Sequence, residues 1–66
     1  MEVMFNDQNI FLDQPLTLYQ FIKKMNIDSI GIAIAINKSI CTKDQWDKTL
    51  LHHGDDILVI KATQGG

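Results

Sequence analysis

Ile32-Ala33-Ile34-Ala35-Ile36 alternates a bulky β-branched side chain with a methyl group at a strict period of two. A strand sends successive side chains to opposite faces, so three isoleucines share one face and two alanines the other. Asn37-Lys38-Ser39 then turns the chain, and Ile40-Cys41 reads as a short strand. Further on, residues 57–61 (Ile57-Leu58-Val59-Ile60-Lys61) give a second strong strand after the loop His52-His53-Gly54-Asp55-Asp56.

Working back from Ile32, the sequence signals a helix. Thr17 stands where an N-cap belongs, with Gln20 three residues later to complete a capping box, and Leu16 and Phe21 are placed for a hydrophobic staple. Leu18, Phe21, Ile22 and Met25 recur at i, i+3, i+4 and i+7, one apolar face over about two turns. Lys23 and Lys24 suit the negative end of the helix dipole, and Asn26 is a stop. Residues 1–6 read as a strand, Asn6-Asp7-Gln8-Asn9 as a turn and Ile10-Phe11-Leu12 as an extended return, which predicts an N-terminal hairpin. Asp13-Gln14-Pro15 breaks that pattern. Thr42-Lys43-Asp44-Gln45 reads as a second capping box, opening a helical turn that carries Trp46.

The order is therefore β-β-α-β-(short β)-β, a small α+β domain. Placing the first and last strands parallel in the middle gives a β-grasp, or ubiquitin-like, fold: a mixed sheet of four to five strands covered by one main helix. Order alone also fits ferredoxin-like fragments. The expected division is a β-grasp domain over residues 1–62 and a flexible diglycine tail over 63–66.

Sixty-six residues make a single domain. A chain this short buries only about 60% of its unfolded surface, for a net stability of about 3–5 kcal/mol. One cysteine excludes an internal disulfide, and no Cys/His set has zinc-site spacing, so no metal is expected and a reducing, cytoplasmic setting is. No apolar run reaches the roughly 20 residues needed to span a bilayer, and Met1 to Phe5 lacks the basic start of a signal peptide. With a net charge of −2 and interspersed Lys, Asp and Glu, there is no basic surface for nucleic acid. Proteins with a basic docking surface are the expected partners.

The chain ends in Gly65-Gly66. At average glycine usage that pair closes a chain by chance about once in 200, and a frayed end or an expression remnant is the plain reading. The chemical reading starts from the terminal carboxylate, which is ionised at neutral pH and a poor electrophile. Adenylation by ATP supplies the missing leaving group. Two residues without Cβ can thread the narrow channel of an activating enzyme, and residues 62–66 extend to at most about 17 Å.

Phe5-Asn6-Asp7-Gln8, Ala35-Ile36-Asn37, Asp44-Gln45-Trp46, Gly54-Asp55-Asp56-Ile57-Leu58 and Gly65-Gly66 together resemble the ThiS family of sulfur carriers in thiamin biosynthesis, over nearly the whole chain and in family order. The terminal pair is common to many ubiquitin-like carriers; the internal blocks make the resemblance specific. It implies a β-grasp carrier without a catalytic site of its own. A ThiF-type adenylating enzyme uses ATP to activate Gly66, with Gly65 required in the tail. A sulfur donor such as a cysteine desulfurase system converts the carboxylate to a thiocarboxylate, and thiazole synthase consumes that sulfur. No cofactor is bound. Cys41 departs from the family, where the position is apolar or otherwise unreactive. Rival readings are the small subunit of molybdopterin synthase, whose chains run longer, a ubiquitin-like modifier joined to lysines through Gly66, and an interaction domain with an irrelevant tail.

The remaining reactive side chains read as structural. Cys41 packs as a small hydrophobe in a strand, with no adjacent basic residue to activate it. His52 and His53 are neighbours that share no face, hence loop residues and not a metal pair. Trp46 belongs at the edge of the core. Asp55-Asp56 forms a turn before a strand, and Asp44 with Asp47 a solvated face. The sheet is more informative. If Ile32, Ile34, Ile36, Ile57 and Val59 face the helix, then Met4, Ala33, Ala35, Leu58 and Ile60 form an uncovered apolar face expected to dock a protein partner, its small alanines allowing close approach.

Overall fold

Ile34 and Ile57 lie on neighbouring strands within the hydrophobic core, both fully buried. The computed structural model that shows this describes residues 1–61. The expected boundary at 62/63 and the Gly65-Gly66 tail lie outside the described residues. Five strands, β1 (Glu2–Phe5), β2 (Gln8–Phe11), β3 (Ile32–Ile36), β4 (Ser39–Cys41) and β5 (Asp56–Lys61), form one sheet in the order β2-β1-β5-β3-β4. β1 and β5 are parallel, and the other three pairings are antiparallel. The last strand is thus inserted between two hairpins, the arrangement expected from the element order. The helix α1 (Leu18–Lys24) covers one face.

The strand alternation and the helix stripe meet in one core. Val3, Leu12, Leu18, Phe21, Ile22, Trp46 and Leu51 pack with Ile34 and Ile57, while Ile32, Ile36 and Val59 close the rim. The Phe5 and Phe21 rings meet edge to face with centroids 5.4 Å apart. Fully burying one such side chain contributes about 1.5–3 kcal/mol. The capping box of α1 is fully made. The Gln20 N–H donates to Thr17 Oγ1 at 3.1 Å, and the Thr17 N–H donates to Gln20 Oε1 at 2.9 Å. Asn26 follows the helix at φ 56, the left-handed geometry of a stop residue. The N-terminal ammonium of Met1 donates to the Leu12 carbonyl at 2.8 Å, and the Leu12 N–H returns a bond to the Met1 carbonyl at 2.7 Å, so the chain start is a rung of the sheet.

Three local readings change. The first turn is shorter than Asn6 to Asn9: β2 already begins at Gln8, and only Asn6 and Asp7 turn, at φ 46 and 69. Asn37 and Lys38 repeat this at φ 51 and 71. Two left-handed residues make the turn whose twist matches that of the flanking strands, so no further residues are needed. The second capping box does not form. Residues Lys43–Lys48 make a 3-10 helix, and the Thr42 side chain caps nothing. Trp46 lies inside the core rather than at its edge, its indole N–H donating to the Cys41 carbonyl at 3.0 Å. The tighter winding of the 3-10 turn carries that ring inward.

Thr17→Ala removes an N-cap acceptor and is expected to cost about 1 kcal/mol, read as a lower urea midpoint at unchanged slope. Lys38→Gly relieves a left-handed residue that carries a Cβ. It is expected to raise stability by roughly 0.5–1 kcal/mol, which the same titration measures.

Candidate functional site

The face of the sheet away from α1 has no element over it among the described residues. Cross-strand register settles which side chains point there. Ala35 is opposite Leu58 on one side and Ile40 on the other, Ala33 is opposite Ile60, and Glu2 is opposite Phe11. Leu58 is 47% exposed and Ile60 45%, Ala33 is exposed and Met4 half-buried. Four of the five residues expected on this face therefore present surface. Ala35 is only 6% exposed. It lies on the outer side, but its methyl group is overhung by Leu58 and Ile40 in the neighbouring strands, so it forms the floor of the patch.

Two residues enlarge the face beyond the sequence reading. Phe11 is 73% exposed and Ile40 64%. Each was legible as part of a strand, but its side depends on pairing partners: Phe11 takes the side of Glu2 and Ile40 that of Ala35. Acidic groups border the apolar area at the β1 end, where Asp56 is in register with Met4 and Glu2 with Phe11. The face is thus apolar across β5, β3 and β4, and negative along the start of β1 and β5.

The other reactive side chains are engaged in holding loops. Asp55 Oδ2 accepts the His52 N–H at 2.8 Å, and Asp55 Oδ1 accepts from Asn37 Nδ2 at 3.0 Å. His53 Nδ1 accepts the Glu2 N–H at 3.0 Å. These bonds tie the loop before β5 to β1 and to the β3–β4 turn. Cys41 is half-buried, with Sγ 3.4 Å from Thr49 Oγ1. Asp44 and Asp47 are exposed, and hydrogen bonds from the Thr42 hydroxyl and then the Gln45 amide hold the Asp44 carboxyl below the usual carboxylate range. Among the described residues, no group of three His, Cys, Asp or Glu side chains gathers to hold a metal ion, and no helix is long and apolar enough to cross a membrane.

Comparison with known proteins agrees with this architecture. The family model described as the ThiS family matches residues 1–66. The Sulfur carrier protein ThiS of Escherichia coli (strain K12) is 30% identical over 66 residues, covering 100% of both chains. The uncharacterized protein ycf40 of Trieres chinensis is 23% identical over 61 residues, 92% of this chain and 84% of its own. The crystal structure of the thiamine biosynthesis protein (ThiS) from Geobacter metallireducens has a TM-score of 0.88 at 16% identity, with 100% of both chains covered. The solution structure of a thiamine biosynthesis protein from the same organism gives 0.78 at 14%, covering 100% of this chain and 88% of that one. At those identities the structures speak to the fold alone, and the fold is the β-grasp. Matched by the family model from its first residue to its last, the chain belongs to the ThiS family.

Proposed function

We propose that this chain is a sulfur carrier for thiazole formation in thiamin biosynthesis, a co-substrate and not a catalyst. The observation that carries the reading is the family match over residues 1–66, which runs through Gly65-Gly66. In the proposed cycle a ThiF-type enzyme joins the Gly66 carboxylate to the α-phosphorus of ATP, and pyrophosphate leaves. The outer sulfur of a persulfide on a donor such as a cysteine desulfurase system attacks the acyl adenylate, and AMP leaves. A second thiol then attacks the donor's sulfur of the acyl disulfide, forming a disulfide with it and releasing the acyl group's sulfur. The product is a thiocarboxylate on Gly66, and thiazole synthase takes its sulfur. The acyl group is an electrophile in the first half of the cycle, and its sulfur a nucleophile in the second.

The protein's own contribution is docking. We assign it to Met4, Ala33, Ala35, Leu58 and Ile60, extended by Phe11 and Ile40. An uncovered apolar patch of this kind marks a protein interface. Ala33 and the floor at Ala35 let a partner surface approach the backbone. Glu2 and Asp56 at one border favour a partner that sets basic side chains beside an apolar centre.

Intact-mass measurement after incubation with ATP, a cysteine desulfurase system and the activating enzyme of the same genome tests the chemistry. The expected result is exchange of one oxygen for sulfur, abolished by deletion of Gly66; an unchanged mass with an active enzyme overturns the reading. The docking face has its own test. Leu58→Asp and Ile60→Asp place a charge in the interface and are expected to raise KM for activation at least about tenfold. An unaltered KM for both would move docking elsewhere.

A further inference from the structure

The backbone bonds of β1 alternate between its two neighbours. Met1 and Leu12 exchange hydrogen bonds at 2.8 and 2.7 Å. Counting on in steps of two, Val3↔Ile10 and Phe5↔Gln8 are therefore the hydrogen-bonded pairs of the β1–β2 ladder. The intervening residues of β1 bond on the other side. The Met4 N–H donates to the Asp55 carbonyl at 2.8 Å, and the Glu2 carbonyl accepts the Gly54 N–H at 2.8 Å. Their partners in register on β2 are Asn9 and Phe11. The N–H and C=O groups of Asn9 and Phe11 thus point away from β1, to the side where, among the described residues, the sheet has no further strand.

The two edges of the sheet are not alike. At β4 the Trp46 indole N–H takes the Cys41 carbonyl at 3.0 Å, the Thr42 carbonyl accepts the Gln45 N–H at 2.9 Å, and Lys38 and Lys43 flank the strand. Lysines beside a short edge strand are a common defence against strand addition. β2, Gln8-Asn9-Ile10-Phe11, has neither a charge nor a proline. It carries Phe11, 73% exposed, on the outer face. A second copy of the chain fits this edge poorly. Antiparallel self-pairing that uses both outward residues sets Asn9 opposite Phe11 of the other copy. That register brings Asp7 of each copy toward Asp13 of the other, at both ends, and like charges face to face destabilise a strand pair. The acidic flanks favour a foreign strand with basic residues.

We propose that the outer edge of β2 receives an extended segment of the activating enzyme as a sixth strand, with basic side chains of that segment beside Asp7 and Asp13. This rests on the carrier reading above and adds a backbone contact to the docking face. Phe11 belongs to both the edge and the face, so one partner reaches both. Main-chain bonds supply the attraction in such strand addition, and the flanking charges select the partner.

The experiment is amide hydrogen exchange on the wild-type carrier, free and bound to the activating enzyme of the same genome, with KM for thiocarboxylate formation by Asn9→Pro and Asn9→Ala. In the free carrier the Asn9 and Phe11 amides should exchange at least about tenfold faster than those of Ile10 and Leu12, and binding should slow them at least about tenfold. Proline at position 9 deletes a donor that β1 does not use, and an edge strand accommodates it. Asn9→Pro is expected to raise KM about tenfold, and Asn9→Ala, which keeps the N–H, should lie at least about fivefold below it. Should Asn9→Pro fail to fold, the wild-type exchange decides alone. Unslowed exchange at Asn9 and Phe11 in the complex overturns the inference, as does an equal KM for the two variants. A carrier that sediments as a dimer, and as a monomer once Asn9 is replaced by proline, gives the edge to a second copy and overturns it too. If the enzyme neither binds nor activates wild type, the carrier reading falls, and this inference with it.

Discussion

The last strand has to lie in the middle. β5 is flanked by β1 on one side and β3 on the other, so neither hairpin belongs to a common sheet until β5 joins them. Its inner side chain Ile57 reaches the centre of the core beside Ile34, and its backbone is bonded on both edges. The rest of the structure depends on that insertion. The hairpin turns are built to receive it, each offering an asparagine oxygen where the turning backbone has no carbonyl to give. The loop before it is fixed by Asp55 and His53 to the neighbouring strands.

With one main helix, the described residues cover only one face of that sheet. The division between faces follows from the period of two along β3 and β5: isoleucine and valine inward, alanine, leucine and isoleucine outward. A domain of this size has no second layer with which to bury the outer apolar residues. Phe11, Ile40, Leu58 and Ile60 remain in water, an arrangement that gains free energy when another protein covers it. The same economy explains why reactive groups serve as struts. Asp55, His53 and Thr49 hold loops that a larger core would hold by packing.

The parts of this design governed by local periodicity were legible from residues alone. The alternation of residues 32–36 gave β3 its direction and faces, and Thr17 with Gln20 marked the start of α1. What escaped depended on partners distant in the chain. Ala35 reads as an outward methyl group, and only the register with Leu58 and Ile40 reveals it as covered. Phe11 and Ile40 belong to short strands whose side is set by their neighbours. Thr42 and Gln45 have the right spacing for a cap, but the 3-10 winding that seats Trp46 takes the backbone out of reach. Asn6 looked like a turn former, and its bond to Val59 crosses 53 positions of sequence. Gly65-Gly66, the pair with the clearest chemistry, was read wholly from sequence and family.

The central place of β5 also has a consequence for biosynthesis. Chains emerge from the ribosome N-terminal end first, so the two hairpins and α1 are made while the gap between them is still empty. Until residues 56–61 have left the exit tunnel, β1 and β3 each lack a neighbour, and the nascent chain presents open sheet edges. Folding of this domain is therefore deferred until β5 has emerged.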